Sequence, residues 1–403
     1  MFGILNMNIL FYSYFGFNPK NGGIERVSNA LAKEFMKGGH KVFFVAKLPG
    51  PADISYTPIV EEIILPDPDE IYTSHSVEVF TEFVKKRNVD VIICQHSHDW
   101  DHLSPYIVKQ NTEVKLLYAF HTTPCIYGLD IGDTTRPIFP FERDFAAEYR
   151  RITRALLKKH KQKVKNRKMG KHLEKIYEMG DGIVFLSPAY IPEVLRISNI
   201  GSSEKLFAIG DPNTYTNGEI VERPKENTLL FVGRLASEKS PEKVLLLWKR
   251  LQNRFPDWNL KIVGGGSLKE DLEKLKTKWR LERCFIEGRQ DPAPYYSKAK
   301  ILLVLSDYEG FCMAITEAMQ HGTVPVVFNT FEALKDIMED GVTGLAVKPY
   351  DLKEFEDKVS LLMKDESRRI RMAEAAKISV RRFELPLIAA QWLDLFRKIG
   401  IDS

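Results

Sequence analysis

The sequence predicts an α/β protein made of two doubly wound domains, each with a parallel sheet covered by helices on both faces. Short apolar runs rich in Val, Ile and Phe alternate with stretches of helical period, which is typical of buried parallel strands joined by helices. This alternation restarts after Asp211, in a chain of 403 residues. At roughly 100–200 residues per domain, that length allows two or three domains with ample core.

The composition is that of an ordinary folded protein. Apolar residues make up 44% of the chain and charged residues 28%, which excludes a disordered, collagenous or disulfide-stapled class. The 58 basic and 54 acidic residues give a net charge of +4, which is too mild for a histone-like protein. The four cysteines are far apart and form no CxxC pair, which excludes a zinc ribbon and suits a reducing compartment.

No targeting or membrane-spanning segment is predicted. Met1–Phe15 is apolar but is interrupted by polar residues, and it lacks the basic start and the small-residue cleavage site of a signal peptide. No 18-residue window is free of charges and polar breaks. We therefore expect a cytoplasmic protein in which any membrane contact is peripheral.

The first half of the chain is predicted to form one of the two sheets. Ile24–Lys37 has helical period and ends at Gly38-Gly39. The strands expected around this helix are Met7–Tyr14, Lys41–Lys47, Val89–Cys94, Val114–Phe120 and Gly182–Leu186.

The second half follows a polar segment with Gly and Pro, Ala208–Thr214, which has the composition of a linker. We place the two domains at 1–208 and 209–385. Because ligands of open parallel sheets bind beyond the carboxyl ends of the strands, the loops after the strands are the candidate sites. The expected strands of the second sheet are Thr228–Gly233, Leu260–Gly264, Cys284–Glu287, Ile301–Ser306, Val324–Phe328 and Gly344–Val347.

Two cations follow the first strand of the second sheet. Arg234 and Lys239 lie between that strand and a helix that is expected to begin at Pro241, with Ser240 as its N-cap. Because a helix N-terminus favours anions, two cations at this place suit a diphosphate. The alternative is that both are solvated surface charges beside Glu238.

Two acids follow the strand Ile301–Ser306. Glu309 lies in the loop, and Glu317 lies about one turn into the next helix, which is expected to end at Gly322. A carboxylate accepts hydrogen bonds from two neighbouring hydroxyls, as on a ribose or a hexose. Gly310 allows backbone amides to approach a ligand. Two solvated charges are the alternative, and the buried character of the flanking strands disfavours it.

These segments resemble a known family. Glu309-Gly-Phe-Cys-Met-Ala-Ile-Thr-Glu317 is similar to the E-x7-E motif of the retaining GT-B glycosyltransferases of the GT4 type, the glycosyl transferases group 1. The resemblance implies the GT-B fold, with two domains facing across a cleft and a C-terminal helix of about 386–403 that packs back on the first domain. The other matching segments are Val232-Gly-Arg-Leu, Gly264-Gly-Gly266, Gly322-Thr-Val-Pro-Val-Val327 and, near the start, Gly22-Gly-Ile-Glu25-Arg26.

The resemblance also implies a role for each matching residue. Arg234 and Lys239 would bind the donor diphosphate and stabilise the negative charge of the leaving group. Glu317 would bind the nucleotide ribose. His121, at a predicted strand end, resembles an active-site histidine near the donor sugar, and its alternative is a loop histidine with satisfied hydrogen bonds. The implied catalytic residues are His121, Arg234, Lys239 and Glu309. The implied donor-binding residues are Gly22, Gly23, Arg234, Lys239, Gly265, Arg289, Glu309, Gly310, Phe311, Cys312, Met313 and Glu317.

Cys312 departs from the family pattern. The family often has glycine or another small residue at this place, in a Gly-Phe-Gly version of the loop. A thiol side chain would narrow the donor-sugar pocket or change its hydrogen bonds, so the residue bears on which sugar is used. A nucleophilic role is disfavoured, because no histidine is close in sequence.

The expected reaction needs no metal and no other cofactor. No Asp-x-Asp follows a strand of the second half, and Asp67-Pro-Asp69 lies in an expected surface loop. The donor is expected to be a UDP-sugar rather than a GDP-sugar. By resemblance, transfer retains the anomeric configuration through front-face attack, with the donor phosphate accepting the proton. Glycosidase-like use of Glu309 and Glu317 is disfavoured, because the two cations favour a phosphorylated donor.

We therefore expect a hexosyltransferase that moves a sugar from a nucleotide diphosphate to a glycan or lipid-linked acceptor, in cell-surface polysaccharide or glycolipid synthesis. The alternatives are a nucleotide-sugar-binding protein, an epimerase or a phosphorylase of similar architecture. A dehydrogenase is disfavoured, because Phe15–Gly23 is not a GxGxxG loop that opens a helix.

A basic stretch, Arg150–Lys171, contains eleven Lys or Arg and no acid. Apolar residues within it, including Val164 and Met169, fall loosely on one helical face. The stretch is a solvated helix, a contact for anionic lipid or a polyanionic glycan, or a nucleic-acid site. The last is disfavoured because no aromatic stacking platform accompanies it. We expect a polyanionic acceptor or an anionic membrane, at the inner face of the plasma membrane, and no nucleic acid.

Overall fold

The protein is described by a computed structural model that covers residues 6–50, 56–67, 70, 72–95, 102–124, 163–215, 220 and 223–401. These residues fall into two compact units. The first unit combines the described residues within 6–124, 167–214 and 383–401, and the second combines residues 163–166 with the described residues within 215–382.

The first unit has a seven-stranded parallel sheet in the order β3-β2-β1-β4-β5-β6-β7. Phe11 on β1 lies opposite Phe44 on one neighbour and Ile93 on the other, and all three side chains are fully buried. Continuous burial of this kind is expected of a parallel sheet covered on both faces. The strands are β1 (Asn8–Phe15), β2 (Lys41–Leu48), β3 (Glu61–Ile64), β4 (Val91–Cys94), β5 (Lys115–Phe120), β6 (Gly182–Phe185) and β7 (Leu206–Ala208).

Helices cover this first sheet. The earliest of them buries Val27, Leu31 and Phe35, which are spaced four residues apart and share one face. The C-terminal helix, Leu385–Lys398, packs against it, with the rings of Phe35 and Phe396 6.1 Å apart. The helices of the first half, of which the earliest is α1, are α1 (Gly23–Lys37), α2 (Ser74–Arg87), α3 (Leu103–Gln110), α4 (163–179) and α5 (Tyr190–Ile197).

The second unit has a six-stranded parallel sheet in the order β10-β9-β8-β11-β12-β13. Its strands are β8 (Thr228–Val232), β9 (Asn259–Val263), β10 (Cys284–Gly288), β11 (Ile301–Val304), β12 (Val324–Phe328) and β13 (Leu345–Val347). Its helices are α6 (Pro241–Leu251), α7 (Lys269–Lys278), α8 (Ala293–Lys298), α9 (Met313–Gln320), α10 (Leu334–Ile337), α11 (Leu352–Lys364) and α12 (Glu366–Ser379). Trp248 and Phe355 from these helices join Ile262 and Val326 from the strands in one buried core.

Both sheets follow the doubly wound order, so the direction of winding reverses between β1 and β4 in one sheet and between β8 and β11 in the other. The loops that follow such a pair of strands separate at the carboxyl edge and leave a crevice where ligands bind. The loops after β8 and β11 contain the predicted cations and acids. The fold therefore brings together two segments that are distant in sequence.

The predicted strands are confirmed to within one or two residues at each end, but two strands were missed. Glu61–Ile64 starts with two glutamates and lies half-exposed at a sheet edge, so it has no apolar run to reveal it. Leu206–Ala208 is only three residues long, at the opposite edge. The segment expected to be a polar linker is largely buried, including Ile209, Asp211 and Asn213.

Within the part of the chain that the structure describes, no helix is long and apolar enough to cross a bilayer.

Candidate active site

The loops after β8 and β11 meet through Lys239 and Glu309. Lys239 ends a short 3₁₀ turn, Ser237–Lys239, and its Nζ lies 2.6 Å from each carboxylate oxygen of Glu309. Ser306 Oγ, at the end of the preceding strand segment, donates to Glu309 Oε1 at 2.6 Å. The Glu309 side chain is 8% exposed and that of Lys239 is 21% exposed. The carboxylate is therefore held in one place by two donors at the carboxyl edge of the sheet.

The charge of Lys239 depends on this partner. Burial opposes the charged ammonium, but the Glu309 carboxylate outweighs burial, so the pKa of Lys239 is raised above its ordinary value. The site thus presents a fixed positive charge beside a carboxylate. A diphosphate needs the first of these groups, and sugar hydroxyls need the second.

Ser240 occupies the N-cap position of α6, but its side chain does not cap the helix, which corrects our expectation. Its backbone is left-handed, with φ 48°, and its Oγ donates to Asp307 Oδ2 at 3.2 Å. Lys243 donates to the Ser240 hydroxyl at 2.8 Å and to Asp307 Oδ1 at 2.7 Å. A second ion pair, between Lys243 and Asp307, thus joins the first turn of α6 to the loop after β11, and the helix begins at Pro241 as predicted.

Arg234 is placed differently from Lys239. Its side chain is 76% exposed, and its guanidinium lies 3.1 Å from Glu238. The structure therefore does not bring Arg234 into the buried pair, although it lies on the same loop. An exposed guanidinium at this edge remains able to turn toward a bound phosphate.

Glu317 lies on the buried face of α9, eight residues after Glu309 along the chain. Its side chain is almost fully buried, and Tyr296 Oη, on the neighbouring α8, donates to its carboxylate at 3.0 Å. The helix ends at a glycine in the left-handed region, Gly322, with φ +67°. The predicted acids therefore have different surroundings, Glu309 among cationic and hydroxyl donors and Glu317 beside a phenol.

Cys312 stands at the N-cap of α9 with φ 65°, in the left-handed region that favours glycine. This conformation gives a physical reason for a glycine at this place. Burial, and secondarily the nearby Glu309 carboxylate, raise the pKa of the Cys312 thiol well above its ordinary value, which makes it a poor nucleophile. Of its neighbours in the loop, Phe311 is buried, Gly310 is half-buried, and Met313 begins the helix.

The three glycines after β9 allow close backbone packing. A Cβ on Gly264 would lie 1.8 Å from the carbonyl oxygen of Gly233, and one on Gly266 would lie 2.4 Å from that of Leu235. The loop after β9 therefore presses directly on the loop that contains the two cations. A Cβ on Gly265 would lie 3.6 Å from Cβ of Arg289, so these two predicted donor-binding residues are neighbours.

The predicted residues of the first unit lie after β1 and β5. Gly22 has extended backbone, with φ −171°, and precedes Gly23, the first residue of α1. A Cβ on Gly22 would lie 2.7 Å from Oε2 of Glu25, so the glycine leaves room for that side chain. Both glycines are exposed at the carboxyl edge of the first sheet.

His121 follows β5, and its side chain is only 6% exposed. Its Nε2 makes a short hydrogen bond with Gln95 Oε1, and its Nδ1 lies 3.7 Å from Oδ1 of Asp211. Burial lowers the pKa of His121 to about 4. Burial also raises the pKa of Asp211 to about 7, although the positive charge of Arg26 opposes the increase. The imidazole is thus neutral and enclosed.

Comparison with known proteins shows which family this chain belongs to. Residues 216–379 match the family Glycosyl transferases group 1, and residues 21–191 match Glycosyltransferase Family 4. The chain belongs to the GT4-type glycosyltransferases of the GT-B fold.

Individual relatives of this GT4-type chain are distant. An alpha-1,4-N-acetyl-D-galactosaminyltransferase of Campylobacter jejuni, named for a glycan on PP-undecaprenol, is 28% identical over 43% of this chain and 49% of its own. The chain spans about half the length of the curated relatives it matches. Sucrose-phosphate synthase from Thermosynechococcus elongatus superposes with a TM-score of 0.73 at 19% identity, over 99% of this chain and 100% of its own. Anabaena HepE with UDP-glucose gives 0.70 at 15%, over 97% and 100%.

Sequence reasoning missed several residues that contact the candidate site residues. Gln95 comes directly after β4, and the position after a strand could have identified it. Tyr296 and Asp211 gave no such signal, because one lies within a helix and the other lies in a segment that resembled a linker. The structure does not bring Glu317, Arg234 and Lys239 into one contact, but it places all of them in the loops and helices that follow β8 and β11.

The basic stretch is described only from residue 163, where it forms part of α4; residues 150–162 lie outside the described residues. Arg167, Lys168 and Lys171 are exposed, whereas Met169 and Leu173 are buried in the first unit. This corrects one part of our expectation, because Met169 packs in the protein core instead of forming an apolar face for lipid.

Elsewhere in the described ranges, no group of three or more His, Cys, Asp or Glu is arranged to hold a metal.

Proposed function

We propose that this GT4-type chain transfers a hexose-type sugar from a UDP-sugar to a glycan or lipid-linked acceptor, with retention of configuration. The observation that supports the proposal most directly is the Lys239–Glu309 pair, 2.6 Å apart at the point where the order of the second sheet reverses. A cation and a carboxylate fixed together match the two ends of an activated sugar, its diphosphate and its hydroxyls.

Lys239 is proposed to neutralise the charge that develops on the leaving diphosphate, with Arg234 turning in from solvent as a second donor. Breaking the anomeric bond builds negative charge on that group, and a fixed ammonium stabilises it without a metal ion. Arg234 is exposed and therefore loses little packing when it moves. The Gly264–Gly266 loop packs against the backbone of the loop that contains both cations.

Glu309 is proposed to accept hydrogen bonds from the donor sugar, and Glu317 from the nucleotide ribose. Ser306 donates to Glu309 and helps to keep the carboxylate in place beside Lys239 when the donor binds. Cys312 lies at the start of α9 beside Glu309, so its side chain would limit the space around the sugar. We propose UDP as the nucleotide because the Anabaena HepE structure, which shares this fold, contains UDP-glucose.

A glycan or lipid-linked acceptor is supported by the Campylobacter jejuni relative, whose name specifies a glycan on PP-undecaprenol. The exposed cations of α4 are proposed to contact anionic lipid headgroups electrostatically, since Met169 and Leu173 are buried in the core and Val164 is the exposed apolar residue beside these cations. Such a surface would keep the protein at the cytoplasmic face of a membrane while it works in polysaccharide or glycolipid synthesis.

The experiment screens nucleotide sugars by their effect on the melting temperature and then measures nucleotide release with glycan and undecaprenyl-diphosphate acceptors. We expect a UDP-sugar to raise the melting temperature and UDP release to require an acceptor. Lys239→Ala should abolish release, whereas Lys335→Ala, a change at an exposed pair in the same unit, should not. Binding without acceptor-dependent release would contradict the proposed transfer.

A further inference from the structure

A small enclosed cavity in the first unit lies behind His121. It is lined by groups on or next to six elements, and its polar members are Gln95 after β4, His121 after β5 and Asp211 after β7. The C-terminal helix closes it with Trp392, and α1 closes it with Leu31. The imidazole therefore lies between two polar side chains and has little contact with solvent.

The contacts of the His121 imidazole favour one of its two neutral tautomers. Gln95 presents its carbonyl oxygen to His121 Nε2, and an oxygen of this kind only accepts, so Nε2 has the hydrogen. In a neutral imidazole the other nitrogen, Nδ1, then has a lone pair, and it faces Asp211 Oδ1 across 3.7 Å. A lone pair is compatible with a nearby carboxyl group when that group has a proton. The directions of the pKa shifts, lowered for His121 and raised for Asp211, agree with this distribution.

Among the described residues, one charge is found to act on this pair. Arg26 on α1 acts on Asp211 and favours its ionised form. Among the described residues that line the cavity, His121 and Asp211 are the titratable ones, because the C-terminal helix presents Trp392 and β4 presents Gln95. Ionisation of Asp211 therefore changes the environment of His121 more than any other titration in this cavity.

We propose that Gln95 and Asp211 are positioning residues that hold the His121 imidazole as the Nε2–H tautomer and so fix the backbone of His121 at the carboxyl edge of β5. The kinetic part of this inference rests on the proposed function, since it assumes that this edge contributes to sugar transfer. The tautomer itself does not rest on it. Neither residue needs to touch the substrate.

The first test is ¹⁵N NMR of the imidazoles in the full chain, with His121→Asn to assign the signal. We expect one neutral Nε2–H tautomer from pH 5 to 6.5. Asp211→Asn should keep this tautomer, because the amide is neutral and can donate like the protonated carboxyl group. Asp211→Ala should give a mixture of tautomers. An imidazole that titrates near its ordinary pKa, or an unchanged signal in Asp211→Ala, would overturn the inference.

The second test is the pH profile of kcat with the donor found by the screen. Asp211→Ala should lower kcat by about 10- to 100-fold. The backbone of His121 would be displaced, and the carboxyl edge of β5 would no longer be aligned with the substrate. Asp211→Asn should recover most of kcat and should lose the dependence on an ionisation near pH 7. Asp394→Asn, an exposed change on the C-terminal helix, is the matched control and should leave both properties unchanged.

The two tests separate the inference from the proposed function. If the chain transfers no sugar, the NMR result still decides the tautomer. If the tautomer is as expected but Asp211→Ala keeps the wild-type profile of kcat, the positioning role is wrong while the transferase proposal stands.

Discussion

Lys239 and Glu309 are 70 positions apart in sequence, yet the ammonium of one lies 2.6 Å from both carboxylate oxygens of the other. The contact exists because β8 and β11 are neighbours in the second sheet. It joins a positive charge suited to a phosphate with an acceptor suited to a sugar. Two of our predictions, those on Lys239 and on Cys312, concern groups on these two loops.

Lys239→Ala should lower both stability and transfer. Removing the ammonium leaves a nearly buried carboxylate without its main partner, which should cost about 2–4 kcal/mol of unfolding free energy. Turnover should fall about 100-fold or more, because the leaving group loses its fixed positive charge. Urea unfolding and nucleotide release measure the two effects. Arg234→Ala, on the same loop but exposed, should change stability by less than about 0.5 kcal/mol, and equal losses in the two variants would contradict this.

Glu317→Gln should weaken UDP binding without unfolding the protein, since the amide keeps the size of the side chain. The change removes the charged acceptor of a ribose hydroxyl. The Kd for UDP should therefore rise about tenfold. Tyr296→Phe removes the phenol that donates to Glu317 and should lower stability by about 1 kcal/mol with a smaller effect on Kd. Calorimetric titration with UDP distinguishes them, and a Glu317→Gln variant with wild-type affinity would exclude the ribose role.

The pair His121 and Asp211 should give opposite pH dependences when each is removed. At pH 5 the unfolded chain has its proton on the imidazole, whereas the folded chain has it on Asp211, whose pKa is about 7, because the pKa of His121 is about 4. The numbers of bound protons are equal, so the intact pair should contribute little slope between pH 4 and 6.5.

In Asp211→Asn only the imidazole remains, and stability should fall as pH decreases from 6.5 toward 4. In His121→Asn only the carboxyl group remains, and stability should fall as pH rises from about 4 to about 7. Each slope is at most about 1.4 kcal/mol per pH unit. Urea midpoints at pH 5 and pH 6.5 measure it, and slopes of the same sign would refute the assigned protonation states.

Cys312 should react slowly with iodoacetamide at pH 8. Burial and the Glu309 carboxylate raise the pKa of its thiol, so little thiolate is present. We expect alkylation at least about tenfold slower than in the unfolded chain, measured by mass spectrometry of the peptide that contains Cys312. Rapid alkylation of the native protein would contradict the raised pKa of the thiol.

The exposed cations of α4 should support binding to anionic vesicles at low salt. Arg167→Glu combined with Lys171→Glu should reduce flotation with anionic vesicles, and neutral vesicles should bind neither protein. Because Met169 and Leu173 are buried, we expect no insertion into the bilayer and loss of binding at high salt. Salt-resistant binding would indicate an apolar contact instead.

The sequence by itself determined most of the secondary structure and the loops that contain the chemistry. Strands such as Val324–Phe328 are continuous apolar runs because both of their faces are buried. A run of that kind can be predicted from its own sequence, without knowledge of the neighbouring strands. Glu61–Ile64 could not be predicted in this way, because an edge strand with two glutamates lacks a continuous apolar run.

Only the tertiary structure decided which side chains meet. Strand order places the loop of Lys239 beside that of Glu309, and the same folding leaves Arg234 in solvent and encloses Glu317 beside Tyr296. It also joins Asp211, in a segment that seemed to be a linker, to His121. The periodicity and composition of a segment reflect burial along that segment alone. Contacts between elements depend on how distant strands align, and no local sequence pattern specifies that alignment.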